Sequence, residues 1–111
     1  MPFTNKKLIQ PLFIPTASGS LIYTTPNNVS TILTVITAAN TTLNLQHFSI
    51  YLCNQDDGAF DTNALIKDAE IEPKTVVNFN FGQVLSPGDK VRADADVPGI
   101  TLHMSGIEIS P

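Results

Sequence analysis

Tryptophan is absent from this chain of 111 residues, cysteine occurs once, and only 14% of the residues are charged. The single cysteine, Cys53, excludes an intrachain disulfide and a zinc site built from several cysteines. Its isolation is typical of a protein that folds in a reducing cytosol. Low charge combined with 42% hydrophobic residues excludes a disordered chain and a highly charged coiled coil. The composition therefore predicts one compact domain.

Basic residues and long apolar runs are scarce as well. Six Lys and Arg against ten Asp and Glu give a net charge of −4, so no basic patch is expected to neutralise a row of phosphates. No apolar run approaches the roughly 20 residues that span a bilayer, and the first one, residues 8–14, is interrupted by Gln10 and Pro11. We therefore expect no nucleic-acid partner, no membrane anchor and no ordinary signal peptide.

Threonine and asparagine are abundant, with 12 and 9 copies, and no long stretch is rich in Ala, Glu, Lys and Leu. This usage favours strands joined by turns. Apolar and polar residues alternate over several segments, which predicts strands at those places: residues 21–25, 29–38, 43–52, 75–81, 91–97 and 100–109. We predict an all-β fold, an antiparallel β-sandwich or jelly-roll-like domain of seven or eight strands over residues 20–111.

Details of the pattern predict where the strands bend and turn. A parity change at residues 46–47 indicates either a β-bulge or a strand that passes from one sheet to the other, and a second parity change at Gly106 indicates a β-bulge. Residues 61–71 begin with an N-cap candidate, Asp61 or Thr62, and are the only helical candidate, with one or two turns. The Ser-Pro-Gly-Asp run at residues 86–89 predicts a type II turn.

The alternation also assigns faces to side chains. It places Ile32 and Ile36 on one face of their strand, and Leu33 and Val35 on the other. In later strands it predicts an inward face, with these members: Val77, Phe79, Phe81, Val91, Ala93, Ala95 and Val97. Arg92, Asp94 and Asp96 are predicted on a wet face.

Residues 1–19 contain three of the eight prolines and end in Ser18-Gly19-Ser20. Because proline cannot donate to a sheet ladder, this segment is predicted to be an extended N-terminal arm with at most one edge strand at residues 8–14. Its apolar residues need a surface to cover, either on this domain or on a neighbouring molecule. The candidates for gripping a partner are Phe3, Leu8, Ile9, Leu12 and Phe13.

No combination of reactive side chains predicts an active site. His47 and His103 lack a nucleophile or ligand at a recognisable spacing, and His103 is expected to be exposed. Asp94 and Asp96 project from one strand about 7 Å apart, which fits a charged outer face better than an acid–base pair. Cys53 ends an apolar strand and is expected to be a small buried hydrophobe. We therefore expect a protein that is not an enzyme.

One loop offers oxygen ligands, from residues Asn54, Asp56, Asp57 and Asp61 around Gly58. Calcium takes six to eight such oxygens, but the spacing departs from an EF-hand loop and no Glu closes it. A solvated acidic loop is the preferred interpretation. We expect no bound metal or cofactor.

Several short segments resemble one family. They are Leu-Ile-Tyr-Thr-Thr-Pro at residues 21–26, Leu-Cys-Asn at 52–54, Val-Leu-Ser-Pro-Gly-Asp-Lys-Val at 84–91, and Met-Ser-Gly-Ile-Glu-Ile at 104–109. Taken together, they resemble the small β-sandwich virion proteins of tailed bacteriophages. The resemblance extends over most of the chain.

This resemblance implies a structural role. The implied function is that of a capsid decoration, or cement, protein that binds across neighbouring subunits of the major capsid protein and stabilises the head. It implies a homotrimer on the capsid surface of the virion, assembled in the cytoplasm of the bacterial host. The alternative is a module of the tail or fibre that binds host-surface carbohydrate, although exposed aromatic platforms are in short supply.

Overall fold

The computed structural model describes residues 3–55, 58–59 and 61–110, with Asp61 described by its backbone alone. Nine strands and one short 3-10 turn follow one another along the chain: β1 (Phe3–Lys7), β2 (Leu12–Phe13), β3 (Ser20–Thr24), β4 (Ser30–Asn40), β5 (Gln46–Cys53), the turn (Asp61–Asn63), β6 (Ala64–Ile71), β7 (Thr75–Leu85), β8 (Lys90–Ala95) and β9 (Ile100–Ile109). The described residues include no helix long and apolar enough to cross a membrane.

The strands form two antiparallel sheets. Sheet A has the order β1-β9-β4-β7, with β2 also paired to β9, and sheet B has the order β3-β8-β5-β6. The pairs are nested: β1 and β2 pair with β9, β3 with β8, β4 with β7, and β5 with β6. This nesting is the wound hairpin of a jelly roll, so the predicted fold class is confirmed. Counting β1 and β2 as one interrupted strand gives eight strands.

Alternating burial explains why the two sheets stack. In β9, Ile100, Leu102 and Met104 are buried while His103 is exposed, as predicted. Sheet B contributes the facing residues Phe48, Ile50, Val91, Ala93 and Ala95 to the same core. Fully burying an aliphatic or aromatic side chain stabilises a fold by about 1.5–3 kcal/mol, so this shared core holds the sandwich together.

Two polar side chains connect the sheets. Tyr23 in β3 donates a hydrogen bond to Glu108 in β9, with 3.0 Å between the oxygens, and burial raises the pKa of Tyr23 to about 12. At the other end, the Asn40 amide nitrogen of β4 donates to the Ile71 carbonyl of β6 at 3.0 Å. Asn40 is 1% exposed. Because both groups have partners, their burial costs little.

The arm is part of sheet A. The edge strand expected at residues 8–14 is shorter, since only Leu12–Phe13 pairs as β2, and an unpredicted strand, β1, lies before it. Leu8 donates its backbone N–H to the Met104 carbonyl at 2.9 Å between β1 and β2. Pro11 has no N–H to donate. The arm therefore follows β9 with a break before β2.

Residues 64–71 form a strand, so the expected helix is wrong beyond the 3-10 turn at Asp61–Asn63. The pairing of β5 with β6 shifts register twice, and Asp68 has a positive φ of 50°. Because of these irregularities, Ile66, Ala69 and Ile71 all pack against the core. They are separated by three positions and then by two along the strand. A spacing of three also occurs on a helix face, so the pattern was ambiguous.

The bulge predicted at Gly106 lies in the neighbouring strands. Between Leu33 and Val35 the register of β4 shifts against both β9 and β7. Leu33 and Ile36 are consequently both buried, whereas Ile32 is only half-buried. The expectation that Ile32 shares a face with Ile36 is therefore wrong, because a bulge reverses the alternation.

Two other expectations need correction. Leu43 and Leu45 are exposed and precede β5, so the parity change near residue 46 marks the start of the strand, and the bulges of its pairing with β6 fall later. Val97 lies beyond β8 and is also exposed, contrary to its predicted inward position.

Two further expectations are confirmed. In β7 the residues predicted to face inward are half-buried and alternate with exposed ones. In the type II turn, Gly88 has a φ of +88° and Asp89 donates its backbone N–H to the Ser86 carbonyl at 3.0 Å.

We predict that Gly106→Ala destabilises the protein by about 1–3 kcal/mol. An added Cβ would lie 2.5 Å from the Ile32 carbonyl oxygen, so the backbone would have to shift. The matched control is Gly82→Ala, whose Cβ meets nothing within 4 Å. The control is expected to be neutral or slightly stabilising. Urea unfolding of the three proteins measures both changes, and equal losses in the two variants would contradict the packing argument.

Candidate interaction surface

The five arm residues predicted to grip a partner divide into two groups. Leu8 and Ile9 are each 8% exposed and belong to the core of this domain, and half-buried Leu12 packs against it. Phe3 and Phe13 are 70% and 60% exposed. The arm thus covers its own domain with three residues and presents two aromatic rings to the outside. Whether these residues bind a partner stays a prediction.

The exposed rings lie on the outer face of sheet A, the side turned away from sheet B. Phe3 stands opposite Ile109 across the β1–β9 pair. One row further, Ile32 stands between Ile107 and Val84. These five residues, Phe3, Ile32, Val84, Ile107 and Ile109, share a face and neighbouring registers, and we call them the apolar corner. Phe3 and Val84, at 70% and 67% exposed, are its most accessible members.

The remainder of this outer face is polar but almost uncharged. Thr37 lies between Asn78 and His103, and it donates its hydroxyl to the Asn78 side-chain oxygen at 2.7 Å. At the far end, Phe13 stands opposite Thr101. Among the described residues, no Asp or Glu belongs to this face, and Lys7 is its one permanent charge. Glu108 has the opposite parity and accepts the hydrogen bond from Tyr23.

The outer face of sheet B differs because the chain itself covers part of it. Asp94 accepts a hydrogen bond from the Gly19 backbone N–H at 2.9 Å, and Arg92 donates to the Gly19 carbonyl at 3.1 Å. Cys53 is 2% exposed, as expected, and donates from its thiol to the Gly58 carbonyl at 3.3 Å. Charged groups and covering loops make this face a poor adhesive surface, since burying a charge is costly unless it is paired.

His47 lies between two carboxylates at the edge of this covered face. Its Nδ1 is 3.2 Å from an Asp96 oxygen, and its Nε2 is 3.4 Å from a Glu70 oxygen. The Asp96 hydrogen bond is the main cause that raises the pKa of His47. Burial alone would raise the pKa of Asp96, but hydrogen bonds from the backbone and ring of His47 outweigh it and lower that pKa.

The groups considered for chemistry have separate structural partners. Asp94 accepts from the Gly19 backbone N–H and Asp96 contacts the His47 ring, so the two aspartates predicted on one strand face have separate partners. No group of three or more metal-ligating side chains that could hold an ion occurs among the described residues. The acidic loop that was weighed as a calcium site and preferred as a solvated loop falls largely outside the described residues, because it includes Asp56, Asp57 and the side chain of Asp61.

The alternation of apolar and polar residues did not predict the apolar corner. Ile32 and Val84 lie far apart in the chain, and only the register of the β4–β7 pair brings them together. The sequence signal that was available is the parity of Ile107 and Ile109, which are odd-numbered in a strand whose buried residues are even-numbered. That parity marks apolar residues on an outward face.

No family model matches the chain, and no curated protein matches it. Among solved structures, a chain in the structure of infectious bursal disease virus, Gx strain, is 12% identical with a TM-score of 0.55, covering 98% of this chain and 32% of its own length. A chain of the Gt strain is 10% identical with a TM-score of 0.49 and covers 96% and 31%.

The catalytic domain of a GH87 alpha-1,3-glucanase is 13% identical with a TM-score of 0.37 and covers 99% of this chain and 28% of its own. The chain therefore spans less than a third of the length of each of these structures. At such identities the Gx-strain likeness shows the fold alone. The TM-scores of the Gt-strain chain and the glucanase domain are too low to carry an argument.

We predict that Asp96→Asn lowers the pKa of His47 toward its ordinary value of 6.5, because the carboxylate that stabilises the charged ring is lost. Titration of the His47 ring by NMR measures the change. Asp89→Asn, in the turn at the opposite end of the sandwich, removes one negative charge and serves as the control. An equal fall in both variants would contradict a specific His47–Asp96 pair.

The contact between His47 and Asp96 also determines how the free energy of unfolding changes with pH. Because the folded pKa of His47 is raised, its contribution is fully present below pH 6.5 and is lost as the pH rises through the folded pKa. The stability difference between the wild type and His47→Gln is therefore expected to shrink as the pH rises through neutrality. Urea unfolding across this range checks it, and a difference that grows would contradict the sign.

Proposed function

We propose that this protein is a structural component of a virus particle, and specifically a capsid decoration protein of a tailed bacteriophage. In this proposal it lies across neighbouring subunits of the major capsid protein on the outer surface of the head and is added in the bacterial cytoplasm. It acts by adhesion alone and catalyses no reaction. Separating two shell subunits would then require the loss of all their contacts with it together.

The single observation that carries this proposal is the outer face of sheet A. It presents Phe13 and the apolar corner on a surface to which no described Asp or Glu contributes. Apolar area removed from water contributes about 25 cal/mol per Å², and a face with almost no charge avoids the large cost of burying unpaired ions. A broad and nearly neutral sheet face suits a protein that acts by adhesion.

The fold agrees with this role at a coarser level. A jelly roll is found in viral capsid and lectin domains among others, and the Gx-strain likeness is to a chain of a virus. The choice of a bacteriophage head rests on the sequence resemblance. The structure places the resembling segments on β3, on the turn before β8 and on β9. A homotrimer, implied by the same resemblance, stays a prediction.

Carbohydrate binding is the competing function. Sugar sites use exposed aromatic rings, and Tyr23 and Tyr51 are only 9% and 5% exposed. Tyr51 is occupied by Lys67, whose ammonium group donates to its hydroxyl at 3.0 Å. These contacts favour adhesion to protein over recognition of sugar.

We predict that Phe3→Ser combined with Phe13→Ser weakens binding to the particle at least tenfold, while the free energy of unfolding changes by less than about 0.5 kcal/mol per site. Both side chains are exposed, so the fold does not depend on them. Binding is measured by sedimentation of the labelled protein with heads that lack it. Deleting residues 1–19 is a poorer test, because it also removes buried Leu8, Ile9 and Ile14.

The matched control is Leu21→Ser, which removes an exposed apolar side chain from the edge of sheet B. It is expected to bind heads like the wild type. Equal binding by the double variant and the wild type would overturn the role of the face. Binding to a glycan array, with no binding to heads, would favour the competing function.

A further inference from the structure

The edges of the two sheets differ in how they are protected against another strand. An edge strand presents unpaired N–H and C=O groups, and proteins block such edges with charges, prolines, bulges or shortness. The edges here are β1 with β2, β3, β6 and β7. Each is therefore either protected by one of these devices or open to pairing.

Three of the edges carry such devices. The β1 edge is five residues long, contains Lys6 and Lys7, and continues into a two-residue β2 after Pro11. The β3 edge is five residues long and shifts register between Leu21 and Tyr23. The β6 edge carries Lys67, Asp68 and Glu70 and two register shifts. Each device opposes a continuous ladder with another chain.

The β7 edge has far less protection. Its eleven residues, Thr-Val-Val-Asn-Phe-Asn-Phe-Gly-Gln-Val-Leu, contain no charge and no proline. Its register with β4 is continuous from Thr75 to Asn80, and its one irregularity is a shift between Asn80 and Gln83. Val76 and Val84 are 56% and 67% exposed. A long, uncharged edge with exposed valines is a site where another strand adds to the sheet.

The pattern of β7 matches a second copy of itself. In an antiparallel pair centred on Asn80, Val76 stands opposite Val84 on the outer face, and Phe79 stands opposite Phe81 on the inner face. Asparagine amides meet at the centre, where each can donate and accept. The Phe79 and Phe81 rings are stacked with centroids 6.2 Å apart and are only half-buried. A second copy would cover both.

Charge favours the same edge. Each copy carries a net charge of −4, so two copies repel unless they meet where carboxylates are absent. Neither β7 nor the outer face of sheet A contributes a described Asp or Glu. We propose that two copies associate through antiparallel pairing of their β7 strands around a two-fold axis at Asn80, which joins the two A sheets into one. This two-fold pairing is an alternative to the homotrimer that the resemblance implies, and it does not depend on the proposed function.

The test is Asn80→Lys, which places two ammonium groups opposite each other at the axis. Like charges directly opposite in a strand pair are destabilising, whereas the exposed side chain leaves the monomer fold intact. Sedimentation equilibrium should give the wild type twice the chain mass of 12.0 kDa and the variant a single chain mass. The control is Asn5→Lys, also exposed, on the opposite edge of the same sheet, and it should remain dimeric.

A second variant tests the register. In Asn80→Cys, the two sulfur atoms would face each other at a Cα separation of about 4.5–5.5 Å, within the range of a disulfide. Mild oxidation should link this variant into a covalent dimer. It should leave Asn5→Cys unlinked, because Asn5 lies on the opposite edge of sheet A. The native Cys53 is 2% exposed and should not form the cross-link itself. Three results would overturn the proposal. The wild type could stay monomeric up to about 100 μM, it could form a trimer, or the Asn80→Lys variant could remain a dimer. These measurements use no particles, so they are independent of the head-binding test.

Discussion

The position of β9 between the arm and β4 is the constraint on which the rest of the structure depends. β9 pairs with β1 and β2 on one side and with β4 on the other. Its inward residues Ile100, Leu102 and Met104 supply the centre of the core. At Gly106 the approach of β4 leaves no room for a side chain. Because of this pairing, the proline-rich arm is ordered as part of the sheet.

The arrangement of the strands also produces two different outer surfaces. The covered face of sheet B uses its charges internally, as when Asp94 binds Gly19 and Asp96 binds His47. The outer face of sheet A has no such cover, and apart from Lys7 its described side chains are apolar or neutral. The resulting asymmetry leaves one outer face partly covered by the chain itself and the other with exposed apolar side chains. The molecule's proposed adhesive function depends on this difference more than on any single residue.

The sequence was sufficient for the fold class, because period-2 alternation and turn chemistry are local. The type II turn at Gly88 and the half-buried β7 are examples. Faces were harder to assign. A bulge reverses the alternation, so Ile32 was placed on the wrong face, and the register shifts of β6 produced a spacing that also fits a helix. The apolar corner depends on strand pairing between distant segments, which one sequence does not specify.

The nested pairing has a consequence for how the chain acquires its structure. Among the strands after β2, only β5 and β6 are neighbours both along the chain and within a sheet. Each pair outside them closes a longer loop, and closing long loops before their contacts form makes folding slow. Sheet A can be completed only after β9 has left the ribosome. Until then the arm and the apolar face of β4 remain without their partner, and this interval is when the chain is most exposed to aggregation.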